Sequence, residues 1–177
     1  MKIIETQLKE VLLIEPRIFG DDRGYFLETW NETRYKESGI LGPFVQDNIS
    51  FSQKGVLRGL HFQNTFPQGK LVYVLEGEIF DVAVDIRKKS PNFGKWVSEI
   101  LSGKNKKQIY IPPGFAHGFV VLSTSALFAY KCTERYRPES ENTIIWNDPH
   151  IGIDWPIQNP VLSPKDAEGR NLRDLVS

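Results

Sequence analysis

Glu78-Ile79-Phe80-Asp81-Val82-Ala83-Val84-Asp85-Ile86-Arg87 alternates with the period of a strand. Phe80, Val82, Val84 and Ile86 share one face, and Asp81, Ala83 and Asp85 share the other. Gly77, in the pair Glu76-Gly77, marks a tight turn from the apolar run Leu71–Leu75 into this strand. The same texture continues on both sides. Val11–Ile14, Phe44–Val45, Val56–Gln63, Ile109–Ile111, Phe119–Leu122, Ala126–Tyr130 and Thr143–Trp146 are short runs bounded by Gly, Pro, Asn or Asp. Many short strands with frequent turns predict a mainly β, antiparallel sandwich or barrel rather than alternating β-α units. Helix is scarce. Asn31 caps a short helix over Glu32–Ser38 that stops at Gly39, and Ser163-Pro164-Lys165-Asp166 reads as a second helix start. No repeat, low-complexity segment or linker divides residues 1–177, so one compact domain is expected.

Lysine plus arginine equals aspartate plus glutamate at 22 each, giving a formal net charge of zero. That balance argues against a nucleic-acid or membrane-surface protein and leaves room for a small anion held by local cations. The one cysteine, Cys132, excludes an internal disulfide framework and suits a reducing compartment. The N-terminal residues lack the pattern of a signal peptide, and no apolar run approaches the roughly 20 residues of a membrane span. A cytoplasmic protein is expected.

Val56-Leu57-Arg58-Gly59-Leu60-His61-Phe62-Gln63 places one of three histidines beside an arginine within a strand. Ionisable residues rarely face a sheet interior unless something there needs them. A second segment, Ile111-Pro112-Pro113-Gly114-Phe115-Ala116-His117-Gly118, carries P-G-x-x-H. Together the two segments resemble the paired motifs of the cupin jelly-roll superfamily, whose strands deliver metal ligands into a barrel. Here that set is broken. Gln63 stands where a second histidine belongs, and Lys70, seven residues before Gly77, stands at the carboxylate ligand's place. A protonated lysine cannot ligate, and two histidines alone make a weak site, so no metal and no other cofactor is expected.

The surviving groups suit proton abstraction next to a ketone. That reaction needs a base and a positive group for the enolate oxygen. His61 fits the first role, since a free imidazole titrates near pH 6.5, and Lys70 fits the second. Inversion also needs an acid on the opposite face. Tyr130, alternating inward with Phe128, is the candidate. A histidine base needs an orienting carboxylate, for which Asp166 is a candidate that also reads as a helix cap three residues after Ser163.

The chain as a whole resembles the dTDP-4-dehydrorhamnose 3,5-epimerase family, metal-free enzymes of cupin fold. The resemblance runs through Phe19–Trp30 (FGDDRGYFLETW), Phe44–Ser50 (FVQDNIS), VLRGLHFQ, Gln68–Val72 (QGKLV), Gly77–Pro91, Ile111–Phe119, Tyr130–Glu141 (YKCTERYRPESE), Trp146–Pro156 (WNDPHIGIDWP) and Leu162–Asp166 (LSPKD). It implies a cupin-type antiparallel jelly roll with a few short helices. It further implies His61 paired with Asp166 as proton acceptor, Tyr130 as donor, and Lys70 against the enolate. For binding a dTDP-4-keto-6-deoxy sugar it implies Arg23, Glu28, Gln46, Asp47, Asn48, Arg58, His117, Tyr136, Glu141 and Lys165, with Phe19 and Phe26 packing on base or sugar. Arg23 and Arg58 suit the diphosphate, and Gln46 and Asn48 share a strand face that can read a pyrimidine edge. The family's homodimers exchange N-terminal strands, so Arg23 is expected to serve the partner's site. Tyr73 departs from the family's usual Arg and is expected to face away from Lys70.

Other readings stand beside these. His117, in a turn after Pro-Gly, could bond a backbone carbonyl. Arg87, Lys88 and Lys89 read as a solvated turn, and His150 as exposed and idle. A relative inverting one carbon, a metal-dependent cupin and a non-catalytic sugar-binding module are the competing functions.

Overall fold

The computed structural model describes residues 1–175. The strands in order are β1 (Lys2–Glu5), β2 (Leu12–Glu15), β3 (Ile18–Asp21), β4 (Gly24–Leu27), β5 (Gln46–Gln53), β6 (Leu57–Gln63), β7 (Lys70–Glu76), β8 (Glu78–Asp85), β9 (Trp96–Ser102), β10 (Gln108–Ile111), β11 (Phe115–Val121), β12 (Ser125–Cys132) and β13 (Glu141–Thr143). Helices are short: α1 (Glu32–Glu37), α2 (Pro164–Ala167) and α3 (Leu172–Leu175). One antiparallel sheet runs β1-β2-β10-β7-β12-β5 and a second runs β13-β6-β11-β8-β9, while β3 and β4 form a separate two-stranded ribbon. This is the expected antiparallel jelly roll of cupin type. The run at Phe44–Val45 lies outside any strand, and the one at Thr143–Trp146 leaves its strand after Thr143.

Burial explains the arrangement. Val72, Val74, Ile79, Ala83, Ile109, Phe119 and Phe128 meet between the sheets. A second cluster joins Leu60, Phe62, Val82 and Val84 to Ile144, Ile151 and Leu172 of the C-terminal segment. Both faces of β8 are therefore covered. The uniformly apolar row packs outward under the C-terminal segment, and the row carrying Asp81 and Ala83 looks into the barrel. Burying an aspartate there requires a partner, and one is present in the site below.

Three expectations need correcting. Gly77 does not close a hairpin, because β7 and β8 belong to different sheets and Gly77 turns the chain from one layer to the other. Its φ of +81° and the 2.1 Å between a built Cβ and the Ser125 carbonyl oxygen restrict that corner to glycine. Arg87 is not a solvated turn residue. Its guanidinium binds Asp85, Glu10 and Ser90 and lies over the Phe115 ring. His117 lies inside β11, not in the turn before it. The helix predictions stand: Asn31 Oδ1 accepts from Arg34 N to cap α1, and Ser163 Oγ accepts from Asp166 N to cap α2.

Candidate active site

β6 is the strand on which the site is built. Arg58 and His61 are three residues apart, so a regular strand would send them to opposite faces. Both nevertheless line one cavity of about 380 Å³ between the sheets. The ladder to β11 shifts register here: His117 faces His61, but Phe119 faces Arg58. Gly59 makes the shift possible. Its φ is +115°, and a Cβ on it would stand 2.6 Å from the Gly118 Cα. Two glycines thus let the strands close up, and the irregularity turns both ionisable side chains inward.

The same bulge admits Asp166. This carboxylate is 2% exposed and arrives from α2, accepting from Gly59 N at 3.3 Å and lying 2.6 Å from His61 Nε2. Ser163 Oγ donates to its other oxygen at 2.7 Å. Asp166 is therefore bound to the helix cap Ser163 through both its N–H and its carboxylate while it partners the histidine. Burial works against its charge, but the hydrogen bonds from His61 and Ser163 prevail and hold its pKa below the usual carboxylate range. An imidazole that donates Nε2–H to Asp166 carries its lone pair on Nδ1.

The opposite sheet supplies Lys70 from β7 and Tyr130 from β12, both lining the cavity. Lys70, Val72 and Val74 point inward and Tyr73 points away, packing with neither row of the inter-sheet core, as parity requires. Burial pushes the Lys70 pKa down, against the opposing pull of Cys132, Asp81 and Glu141. Burial also pushes Tyr130 up, so its phenol keeps its proton at neutral pH. The Tyr130 ring stacks on Phe128 with centroids 5.6 Å apart. The base comes from one sheet with its carboxylate from α2, and a cation and a phenol come from the other sheet.

A second imidazole–carboxylate pair lies beside the first. His117 Nε2 stands 2.8 Å from Asp81 Oδ2, both buried, and burial lowers the His117 pKa. Asp81 Oδ1 has no hydrogen-bond partner. The sequence reading missed Asp81. Alternation separated it from the apolar row, but alternation alone does not say which face of a strand meets solvent. At the mouth, Glu141 Oε2 accepts from Tyr136 Oη at 2.8 Å and from Lys165 Nζ at 2.9 Å. Arg58 Nε donates to Ser52 Oγ, and Gln46 Nε2 to Asn48 Oδ1.

The model of the dTDP-4-dehydrorhamnose 3,5-epimerase family matches residues 5–174. A dTDP-4-dehydrorhamnose 3,5-epimerase of Pseudomonas aeruginosa is 54% identical over 176 residues, 98% of this chain and 97% of its own. The crystal structure of dTDP-6-deoxy-D-glucose-3,5-epimerase from Legionella pneumophila, in complex with dTDP-4-keto-L-rhamnose, superposes with a TM-score of 0.95. It is 60% identical, covering 97% of this chain and 93% of that one. A 3'-monoepimerase of Streptomyces bikiniensis in complex with dTDP-quinovose is 30% identical with a TM-score of 0.89, covering 96% and 87%. The chain belongs to the dTDP-4-dehydrorhamnose 3,5-epimerase family. It is an isomerase.

Not every residue expected in this family member's site reaches the cavity of its own chain. His61, Asp166, Lys70, Tyr130, Arg58, Gln46, Asn48, His117, Tyr136, Glu141 and Lys165 are gathered in or against it. Asp47 is not. It sits on the outer face of β5, exposed, with Lys131 Nζ 2.8 Å away. Phe19, Arg23 and Phe26 lie on the β3–β4 ribbon, away from the cavity, with Arg23 bound to Asp21. Glu28, just beyond the ribbon, is paired with Arg34.

Proposed function

We propose that the chain epimerises dTDP-4-dehydro-6-deoxy-D-glucose at C3 and C5, giving dTDP-4-dehydro-L-rhamnose without a metal ion. The observation that carries this reading is the placement of His61 and Tyr130 on opposing sheets, with Asp166 2.6 Å behind the histidine. Inversion beside a ketone requires removal of a proton from one face and return from the other. His61 takes the proton at C5 and at C3 in turn, and Asp166 stabilises the imidazolium. The C4 oxygen becomes an enolate against the Lys70 ammonium, a positive charge held in place on β7. Tyr130 or solvent then delivers a proton from the far side.

Donor chemistry supports the metal-free part. Both imidazoles present Nε2 to carboxylates, and an ammonium and an amide stand at the other two ligand positions. Arg58 suits the diphosphate, and Gln46 and Asn48 suit the pyrimidine edge. The remaining groups come from a second copy in this reading. The ribbon exposes Ile18, Phe19, Tyr25 and Phe26, the last 69% exposed, and β5 exposes Ile49 and Phe51. Burying these in a homodimer with exchanged ribbons carries Phe19, Arg23, Phe26 and Glu28 to the partner's cavity. No helix among the described residues is long and apolar enough to cross a membrane.

The test is incubation with the 4-keto sugar nucleotide in deuterated water, with NMR location of the label. Deuterium at C3 and C5 with the L-rhamno product is expected, unaffected by a chelator. Label at one carbon only would favour an activity like that of the Streptomyces bikiniensis monoepimerase. No label at all would overturn the reading.

A further inference from the structure

We propose that Gln63 is a positioning residue that fixes Tyr136 at the mouth of the cavity by holding the backbone on both sides of it. The kinetic part of this proposal rests on the epimerase reading above. Gln63 ends β6 and is 4% exposed. Its Oε1 accepts from Arg137 N at 2.7 Å, and its Nε2 donates to Arg135 O at 3.3 Å and to Phe66 O at 2.8 Å. Arg135 and Arg137 bracket Tyr136. The Tyr136 N itself donates to Gln46 Oε1 at 2.8 Å, and Glu134 O accepts from Gln68 Nε2 at 2.8 Å. Four successive residues are thus tied by three glutamines from β5, β6 and the loop before β7.

Residues 134–137 belong to no strand or helix, so these amides replace the ladder that would otherwise order them. Tyr136 is 48% exposed, and its hydroxyl bond to Glu141 at 2.8 Å does not restrain its backbone. An amide can donate twice and accept at once. A neutral histidine in this place could donate only once. The residue that breaks the metal set therefore has its own structural use. Gln63 also sets Phe66 against the Arg137 guanidinium, whose Cζ lies 4.0 Å from the ring centroid, so one side chain holds both walls of the mouth.

A double-mutant cycle tests the idea. Gln63→Ala is expected to raise the KM for the sugar nucleotide about tenfold while kcat falls less than about threefold. Tyr136→Ala should do the same, and the double variant should be no worse than either single one. Multiplying effects would overturn the proposal, because Gln63 would then act without Tyr136. If Gln63→Ala does not fold, Gln63→Glu enters the same cycle. It keeps the acceptor for Arg137 N and should show a smaller KM rise. Trypsin reads the clamp without turnover: cleavage after Arg135 should accelerate in the Gln63 variants, with the melting temperature of the domain little changed. Unchanged cleavage would overturn the proposal even in an active enzyme. Absent turnover by the wild type with accelerated cleavage in the variants would refute the function and keep the clamp.

Discussion

Replacing Lys70 with methionine should make the protein more stable and nearly inactive. Among the described residues the ammonium has no hydrogen bond or ion pair, and burial lowers its pKa despite three negative or titratable neighbours. Methionine is unbranched and one atom shorter, so it keeps the packed stem and removes a charge that the folded state desolvates. Relieving such a charge is worth about 1–2 kcal/mol, which for a domain of this size is roughly 2–8 °C in melting temperature. The pH dependence follows from the sign of the shift. A lysine whose folded pKa lies below its unfolded value penalises the fold fully below the folded pKa. The penalty fades as pH rises toward the unfolded value near 10.4. The gain of Lys70→Met over wild type should therefore be full in acid and narrow through the alkaline range. Activity should fall about 10²–10³-fold, the usual loss when an oxyanion partner is removed. Scanning calorimetry from near neutral pH up to about the unfolded lysine pKa of 10.4, with NMR of substrate deuteration, reads both quantities. A variant that loses stability, or that deuterates substrate at the wild-type rate, would show that Lys70 is a structural cation.

His61→Ala should abolish exchange of the C3 and C5 protons with deuterated water; exchange at the normal rate would remove His61 from the base role. For Tyr130→Phe, exchange should survive better than inversion, and equal losses in the two assays would end the case for a separate donor. Asp166→Asn bears on acid stability. The folded carboxyl titrates below its unfolded value near 3.9, so its contribution is present above that pH and lost as pH falls through the folded pKa. The melting temperatures of wild type and Asp166→Asn should accordingly converge in acid. Gly77→Ala must accommodate a Cβ 2.1 Å from a carbonyl oxygen at φ +81°; a cost of about 3 kcal/mol should lower the melting temperature by roughly 6–12 °C.

The legible parts of this chain were those fixed by local period and type. Alternation in Glu78–Asp85 gave a strand, and Lys70 and Tyr73 fell on opposite faces as their spacing demanded. What stayed hidden depended on which layer a face meets. Asp81 looked like an ordinary polar position, yet it lies at 0% exposure against His117 because the C-terminal segment covers the apolar side of β8. Arg58 and His61 were both placed inward although regular pleating forbids it, and only the Gly59–Gly118 approach reconciles them. Asp166 and His61 are 105 residues apart, a contact that no local rule reaches. The ribbon residues were named from resemblance alone. A single chain leaves them on its outside, and no local sequence rule ties them to the cavity.

The two imidazole–carboxylate pairs bear on why a barrel of this kind can leave metal chemistry for proton chemistry. A metal takes the lone pair of an imidazole and so removes it as a base. A carboxylate takes the N–H instead and leaves the lone pair on the other nitrogen. Asp166 and Asp81 each stand within 2.8 Å of a histidine nitrogen, and both come from outside the two histidine-bearing strands. In the proposed reaction His61 holds a histidine ligand's place on its strand but gives its free lone pair to a proton from carbon and not to a cation. Lys70 fits the same exchange. In a metal-free reaction the positive charge beside the substrate oxygen comes from a side chain, and Lys70 lines the cavity on the sheet opposite His61. On the proposed reading, proton chemistry in such a barrel asks for a carboxylate behind the base and a lysine beside the substrate oxygen, with the sheets left as they are.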